Sequence, residues 1–143
     1  MSFLDLILDR TQRLPKLVDP AAHLAMDYLT ASYFFVLAGL FWGRHNRATA
    51  TALINGGMVL GVSMLTDYPA GLKKIGFRDH GKADIVQMLT AAGLPSVLGF
   101  GNEAAALPFR LQALKEAMII AITDFDSRKA RQQSIDGKNR AAA

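Results

Sequence analysis

Residues 21–42, AAHLAMDYLTASYFFVLAGLFW, are the stretch that most limits how this chain can fold. Among 22 consecutive residues the only Asp, Glu, Lys, Arg or His side chains are His23 and Asp27, both in the first two turns. A helix of that length, rising 1.5 Å per residue, crosses a hydrocarbon core of about 30 Å. Asp19 is placed to cap it, Pro20 suits its first turn, and Trp42 ends it at interfacial depth.

Three further segments follow. Residues 48–65 carry no charge and include Gly56, Gly57 and Gly61; the Gly57-x-x-x-Gly61 spacing permits close helix contact in a membrane. The Asp67-Tyr68-Pro69 sequence ends that helix. A third helix is expected from Asp79, as cap, through His80 to Phe100, with a kink at Pro95. A fourth covers residues 104–123. Its Arg110, Gln112, Lys115 and Glu116 are costly in lipid unless they face protein, water or the interface. Those four residues also keep a soluble four-helix bundle open as an alternative.

The totals agree with a membrane chain. Hydrophobic residues make up 51% of the sequence and charged residues 20%, and most of the charges lie outside the apolar segments. There is no cysteine, which removes disulfides, thiolate metal sites and a Cys nucleophile. Basic residues flanking apolar segments point to membrane orientation rather than nucleic acid, which is not expected as a partner. Residues 1–18 read as an amphipathic helix on the membrane surface, with Phe3, Leu4, Ile7, Leu8 and Leu14 on one face; the alternative is a soluble helix packed on a bundle. The basic tail, 127–143, reads as largely disordered.

The segments also repeat. Residues 23–68 laid over 80–125 bring His23 onto His80, Asp27 onto Asp84, Thr66 onto Thr123 and Asp67 onto Asp124. The polar matches fall at both ends of a unit made of two apolar segments. The expected fold is therefore all-α: four transmembrane helices in two tandem hairpins, residues 20–69 and 79–126, within one membrane domain spanning 1–143. Hairpins in series enter from one face, so they form a parallel repeat. His23, Asp27, Asp67, His80, Asp84 and Asp124 then share one side of the bilayer. Twelve Lys and Arg residues belong to that side and four to the other. The positive-inside rule places the cluster and both termini in the cytoplasm, with the protein in the inner membrane.

The sequence resembles the SPW-repeat type of small bacterial membrane proteins, whose activity is uncharacterised. His23-Leu24-Ala25-Met26-Asp27-Tyr28 matches their H-x-x-x-D-Y helix start. Pro95-Ser96-Val97-Leu98-Gly99-Phe100 matches a P-x-x-L-G-F exit, and Leu65-Thr66-Asp67-Tyr68 an L-T-D-Y end. The Ser-Pro-Trp triplet itself is absent, which makes the chain a distant relative. The resemblance covers residues 20–126 and implies a topology of two helical hairpins, without an activity.

Asp67 and Asp124 sit at helix C-termini, where the dipole disfavours an anion. A partner is expected from His23, His80, Lys73, Lys74, Arg78 or Lys82. The principal expectation for the six-residue cluster is a structural network tying the hairpins together. The alternatives are a divalent metal or a haem held by His23 and His80, though the chain has no E-x-x-H or H-E-x-x-H pattern. No cofactor is assigned from sequence. His45 is expected to be solvated. Thr66, Ser63 and Ser96 show no base beside them in sequence, so no catalytic residue is assigned and an enzyme is not expected. The functional expectation is a structural or accessory subunit, with the bilayer and other membrane subunits, or a second copy, as partners.

Overall fold

The computed structural model describes residues 2–67 and 71–126. The 127–143 segment, and Tyr68 in its match to Phe125, lie outside the described residues. Within them the chain is all-α, with five α-helices and a short 3-10 turn. Helix α1 spans Phe3–Thr11, α2 Pro20–Phe41, α3 Asn46–Leu65, α4 Phe77–Val97 and α5 Leu107–Ile122, with the 3-10 turn at Ala104–Ala106. Of these, α2 and α3 are long and apolar enough to cross a membrane by length and composition.

Local chemistry sets the boundaries. Asp19 caps α2 as expected, its carboxylate accepting the Ala22 N–H at 2.9 Å with Pro20 at the first helical position. Helix α4 begins three residues earlier than Asp79 predicts. Gly76 is its N-cap and Asp79 lies in the first turn, ion-paired to Lys82 at 3.0 Å. Pro95 falls in the last turn of α4. His45 is not a solvated connector residue. Its Nδ1 accepts the Ala48 N–H at 3.1 Å and caps α3, and its Nε2 lies 2.9 Å from Glu103 on the other connector. Of the three glycines on α3, the one that admits a close approach is Gly56. A Cβ there would meet the Phe34 Cβ at 3.2 Å, whereas Gly57 and Gly61 have nothing within 4 Å.

The backbone repeats with the 57-residue offset of the sequence. Thr66 bridges to Ile75, and Thr123 bridges to Val18. The Asp67 N–H donates to the Ile75 carbonyl at 2.9 Å, and the Asp124 N–H donates to the Val18 carbonyl at 3.1 Å. Each hairpin's last residues therefore pair with the lead-in of the other hairpin. This exchange brings the starts of α2 and α4 and the ends of α3 and α5 to one end of the bundle, as a parallel repeat requires.

The interior is divided. The half remote from the termini is apolar, built on Phe34, Ala52, Phe100 and Phe109. The middle is a polar layer made of two repeat-related pairs. Gln112 Nε2 donates to Thr30 Oγ1 and Gln87 Nε2 donates to Asn55 Oδ1, each at 3.2 Å. The outer surface shows the reverse pattern, with Leu29, Val36, Leu40, Leu89, Leu114 and Met118 all more than half exposed. Helix α1 lies outside the repeat. It buries Leu8 against Phe77, Ile85, Ile120 and Phe125, and is clasped by Arg78 to Asp9 and Lys82 to Asp5.

Candidate metal centre

Helix periodicity starts the site. His23 and Asp27 stand one turn apart on α2, and His80 and Asp84 one turn apart on α4, so each pair projects from one face of its helix. Because the helices run side by side, the two pairs meet. His23 and His80 are fully buried, Asp27 is 3% exposed and Asp84 7%. Phe77 and Phe125 cover the rings at the bundle end. Their centroids lie 5.6 and 5.3 Å from that of His23, both edge-on.

Thr66 and Thr123 fix the orientation of the histidines. His23 Nδ1 lies 2.9 Å from Thr123 Oγ1, and His80 Nδ1 lies 2.8 Å from Thr66 Oγ1. Both hydroxyls already donate to the carbonyl four residues back, Ile119 and Val62, each at 2.7 Å. A hydroxyl has one hydrogen to give, so each threonine can only accept from its histidine. Nδ1 therefore carries the proton in both rings, and Nε2 is the atom turned inward.

The two Nε2 atoms are 3.2 Å apart. His23 Nε2 lies 3.0 Å from Asp84 Oδ2 and 3.4 Å from Asp27 Oδ1. His80 Nε2 lies 3.2 Å from Asp84 Oδ2 and 3.2 Å from Asp27 Oδ2. Ser63 Oγ donates to Asp27 Oδ2 at 2.8 Å. One ligand atom from each of the four residues can be chosen so that all lie within 4.8 Å of one another.

If both rings are neutral, two nitrogen lone pairs and two carboxylates converge in a space closed to solvent. Such a group needs positive charge. Two protons, one on each Nε2, would make a network of two imidazolium–aspartate pairs. One divalent cation would serve equally well. A tetrahedral ion with ligands at 2.0–2.2 Å has neighbouring ligands about 3.3 Å apart, and the separations that involve an Nε2 atom run from 3.0 to 3.4 Å. Two nitrogens and two carboxylate oxygens form a borderline donor set, suited to zinc and its neighbours rather than to magnesium or calcium.

Four of the six expected residues thus come together, while Asp67 and Asp124 remain at the turns. Their ordering contacts are the backbone bonds described above, together with the Asp126 N–H donating to Asp124 Oδ1 at 3.2 Å. Four of the six partners anticipated for them are engaged elsewhere. Arg78 pairs with Asp9 and Asp126, Lys82 with Asp5 and Asp79, and the histidines with Asp27 and Asp84. Thr66 does have a base beside it, His80, and Ser63 lies against Asp27. The Thr66 hydroxyl proton is committed to a carbonyl, however, so the contact orients the ring and does not activate a nucleophile. The repeat was the signal that pointed to Thr66 and Thr123, since both recur at the end of each unit.

Comparison of the chain with family models, curated proteins and solved structures yields no match.

Proposed function

We propose that this protein is a small integral membrane scaffold whose two hairpins are locked together by one divalent ion of the zinc class. His23, Asp27, His80 and Asp84 are the ligands. The observation that carries the reading is the pair of Nδ1–threonine bonds, which turns both Nε2 atoms toward two buried carboxylates at metal-ligand spacing. Four protein ligands with no vacant position describe a structural site rather than a catalytic one. The role that follows is that of a non-enzymatic accessory subunit, held in shape to present its outer faces to another membrane protein.

The membrane assignment rests on the inverted distribution of residues. A polar layer and the His/Asp cluster lie inside the bundle, and large apolar side chains cover the outside of all four long helices. That is the arrangement lipid selects and water penalises. All four helices cross the inner membrane in this reading, with α4 and α5 keeping their charges at the ends or against protein. The excess of basic residues beside the termini supports a cytoplasmic position for that end. The motif resemblance to SPW-repeat proteins supports the same topology. A metal-free imidazolium network is the second reading, because the same Nε2-to-carboxylate distances also suit hydrogen bonds.

Membrane extraction and elemental analysis test the proposal. The chain is expected to stay in the membrane pellet under alkaline carbonate. Purified in detergent, it is expected to retain one divalent ion per chain through dialysis, and the His23→Ala and His80→Ala variants to lose it. Release into the supernatant would overturn the membrane assignment. A folded wild-type protein that binds no added divalent ion would leave the imidazolium network.

A further inference from the structure

The repeat makes the metal centre nearly two-fold symmetric, and one pair of residues breaks that symmetry. Lys115 and Glu116 on α5 occupy the positions that Met58 and Val59 hold on α3. Glu116 is buried, 4% exposed. It shares Gln112 with Thr30, which stands on α2 about one helical turn from the ligand Asp27. Gln112 Nε2 lies 3.4 Å from Glu116 Oε2, and Lys115 Nζ donates to Thr30 Oγ1 at 3.1 Å. A carboxylate and an ammonium placed mid-helix in a bundle of this kind are expensive and call for a functional account.

The charges around the site supply one. With neutral histidines and both α5 groups ionised, Asp27, Asp84, Glu116 and Lys115 together carry a net charge of −2, the complement of one divalent cation. The four ligands alone already carry −2. Glu116 and Lys115 therefore add opposing fields to a site that is neutral without them. In a low-dielectric interior a unit charge near a divalent ion alters its affinity over several ångströms.

We propose that Glu116 and Lys115 tune the metal affinity of the His23/Asp27/His80/Asp84 centre without ligating the ion. Glu116 strengthens retention of a divalent cation and Lys115 weakens it, so that the ion is held yet exchangeable. The inference rests on the metal reading above. Both are positioning residues acting through the field at the site, and Gln112 and Thr30 hold their head groups in place.

The test is the Zn2+ dissociation constant of the full chain in detergent, measured by chelator competition at one pH and ionic strength. The proteins compared are the wild type, Glu116→Gln and Lys115→Met, the last restoring the residue found in the first repeat. Glu116→Gln is expected to weaken binding by about tenfold and Lys115→Met to tighten it by about tenfold. Thermal unfolding of the metal-free proteins provides the second readout. A purely structural role would lower both melting temperatures and weaken binding in both variants, which would overturn the proposal. Unchanged affinity in both variants would overturn it too, while leaving the metal reading intact. Failure of the wild type to bind Zn2+ would remove the reading on which it rests.

Discussion

His23 and Thr123, one hundred positions apart, are joined by a 2.9 Å hydrogen bond, and the same bond recurs at 2.8 Å between His80 and Thr66. Each hairpin supplies the threonine that orients the other hairpin's histidine. The site is complete only when both hairpins are present, and its formation is coupled to their association. Replacing either threonine with valine keeps the shape and removes the acceptor. A buried Nδ1–H left without a partner costs about 1–3 kcal/mol. Loss of an orienting contact to a metal-binding histidine lowers affinity by about 10–100-fold. Thr66→Val and Thr123→Val are expected to show both effects to a similar extent, read by thermal unfolding and by metal competition. A large effect from only one of them would contradict the symmetric account.

Much of this arrangement could be read from the sequence because both of its components are periodic. The apolar run at 21–42 gave α2 within a residue at either end, since Asp19-Pro20 is an unambiguous start. The 57-residue repeat, combined with the rule that consecutive hairpins enter from one face, was enough to bring His23, Asp27, His80 and Asp84 together. What escaped was tertiary. The parallel repeat puts Asp67 and Asp124 on the side of the site, but the chain turns at those positions and bonds them through backbone amides. The polar layer of Thr30, Asn55, Gln87 and Gln112 is spread over four helices, and no single helix shows it. Helix α1 has an apolar face that suits a membrane surface, and nothing in its own sequence foretells that Leu8 packs against Phe77 and Phe125.

The cover over the site makes a steric prediction. A Cβ on Gly81 would sit 2.8 Å from the Phe125 ring, and that ring stands edge-on to His23 with centroids 5.3 Å apart. Alanine at this position gains about 1 kcal/mol of helix propensity, but the crowding costs about 1–3 kcal/mol. Gly81→Ala is expected to lower thermal stability and to weaken metal binding as Phe125 is displaced. Gly57→Ala, with open space around it, is expected to be neutral or to stabilise by about 0.5–1 kcal/mol. Equal effects from the two substitutions would contradict this packing.

Helix α1 should respond to acid. The Lys82 ammonium, followed by the hydrogen bonds from Ser2, holds the Asp5 carboxyl well below its ordinary value of 3.8. Its folded pKa is depressed, so its contribution is fully present above pH 3.8 and is lost as pH falls below that value. Amide exchange across residues 3–11 is expected to be slow at pH 5 and to accelerate on acidification below 3.8, measured against the intrinsic exchange rate at each pH. Asp5→Asn should show the faster exchange already at pH 5. Protection that stays constant between pH 5 and pH 2.5 would contradict the clasp.

The central claim is that two repeat-related His/Asp pairs make one metal centre. X-ray absorption at the zinc edge of the Zn2+-loaded chain in detergent tests it most directly. The account predicts four nitrogen and oxygen neighbours at about 2.0–2.1 Å, with the outer-shell scattering of two imidazoles, and loss of that scattering in the double His23→Ala, His80→Ala variant. A six-oxygen shell without imidazole scattering, or a spectrum unchanged by the double substitution, would contradict it.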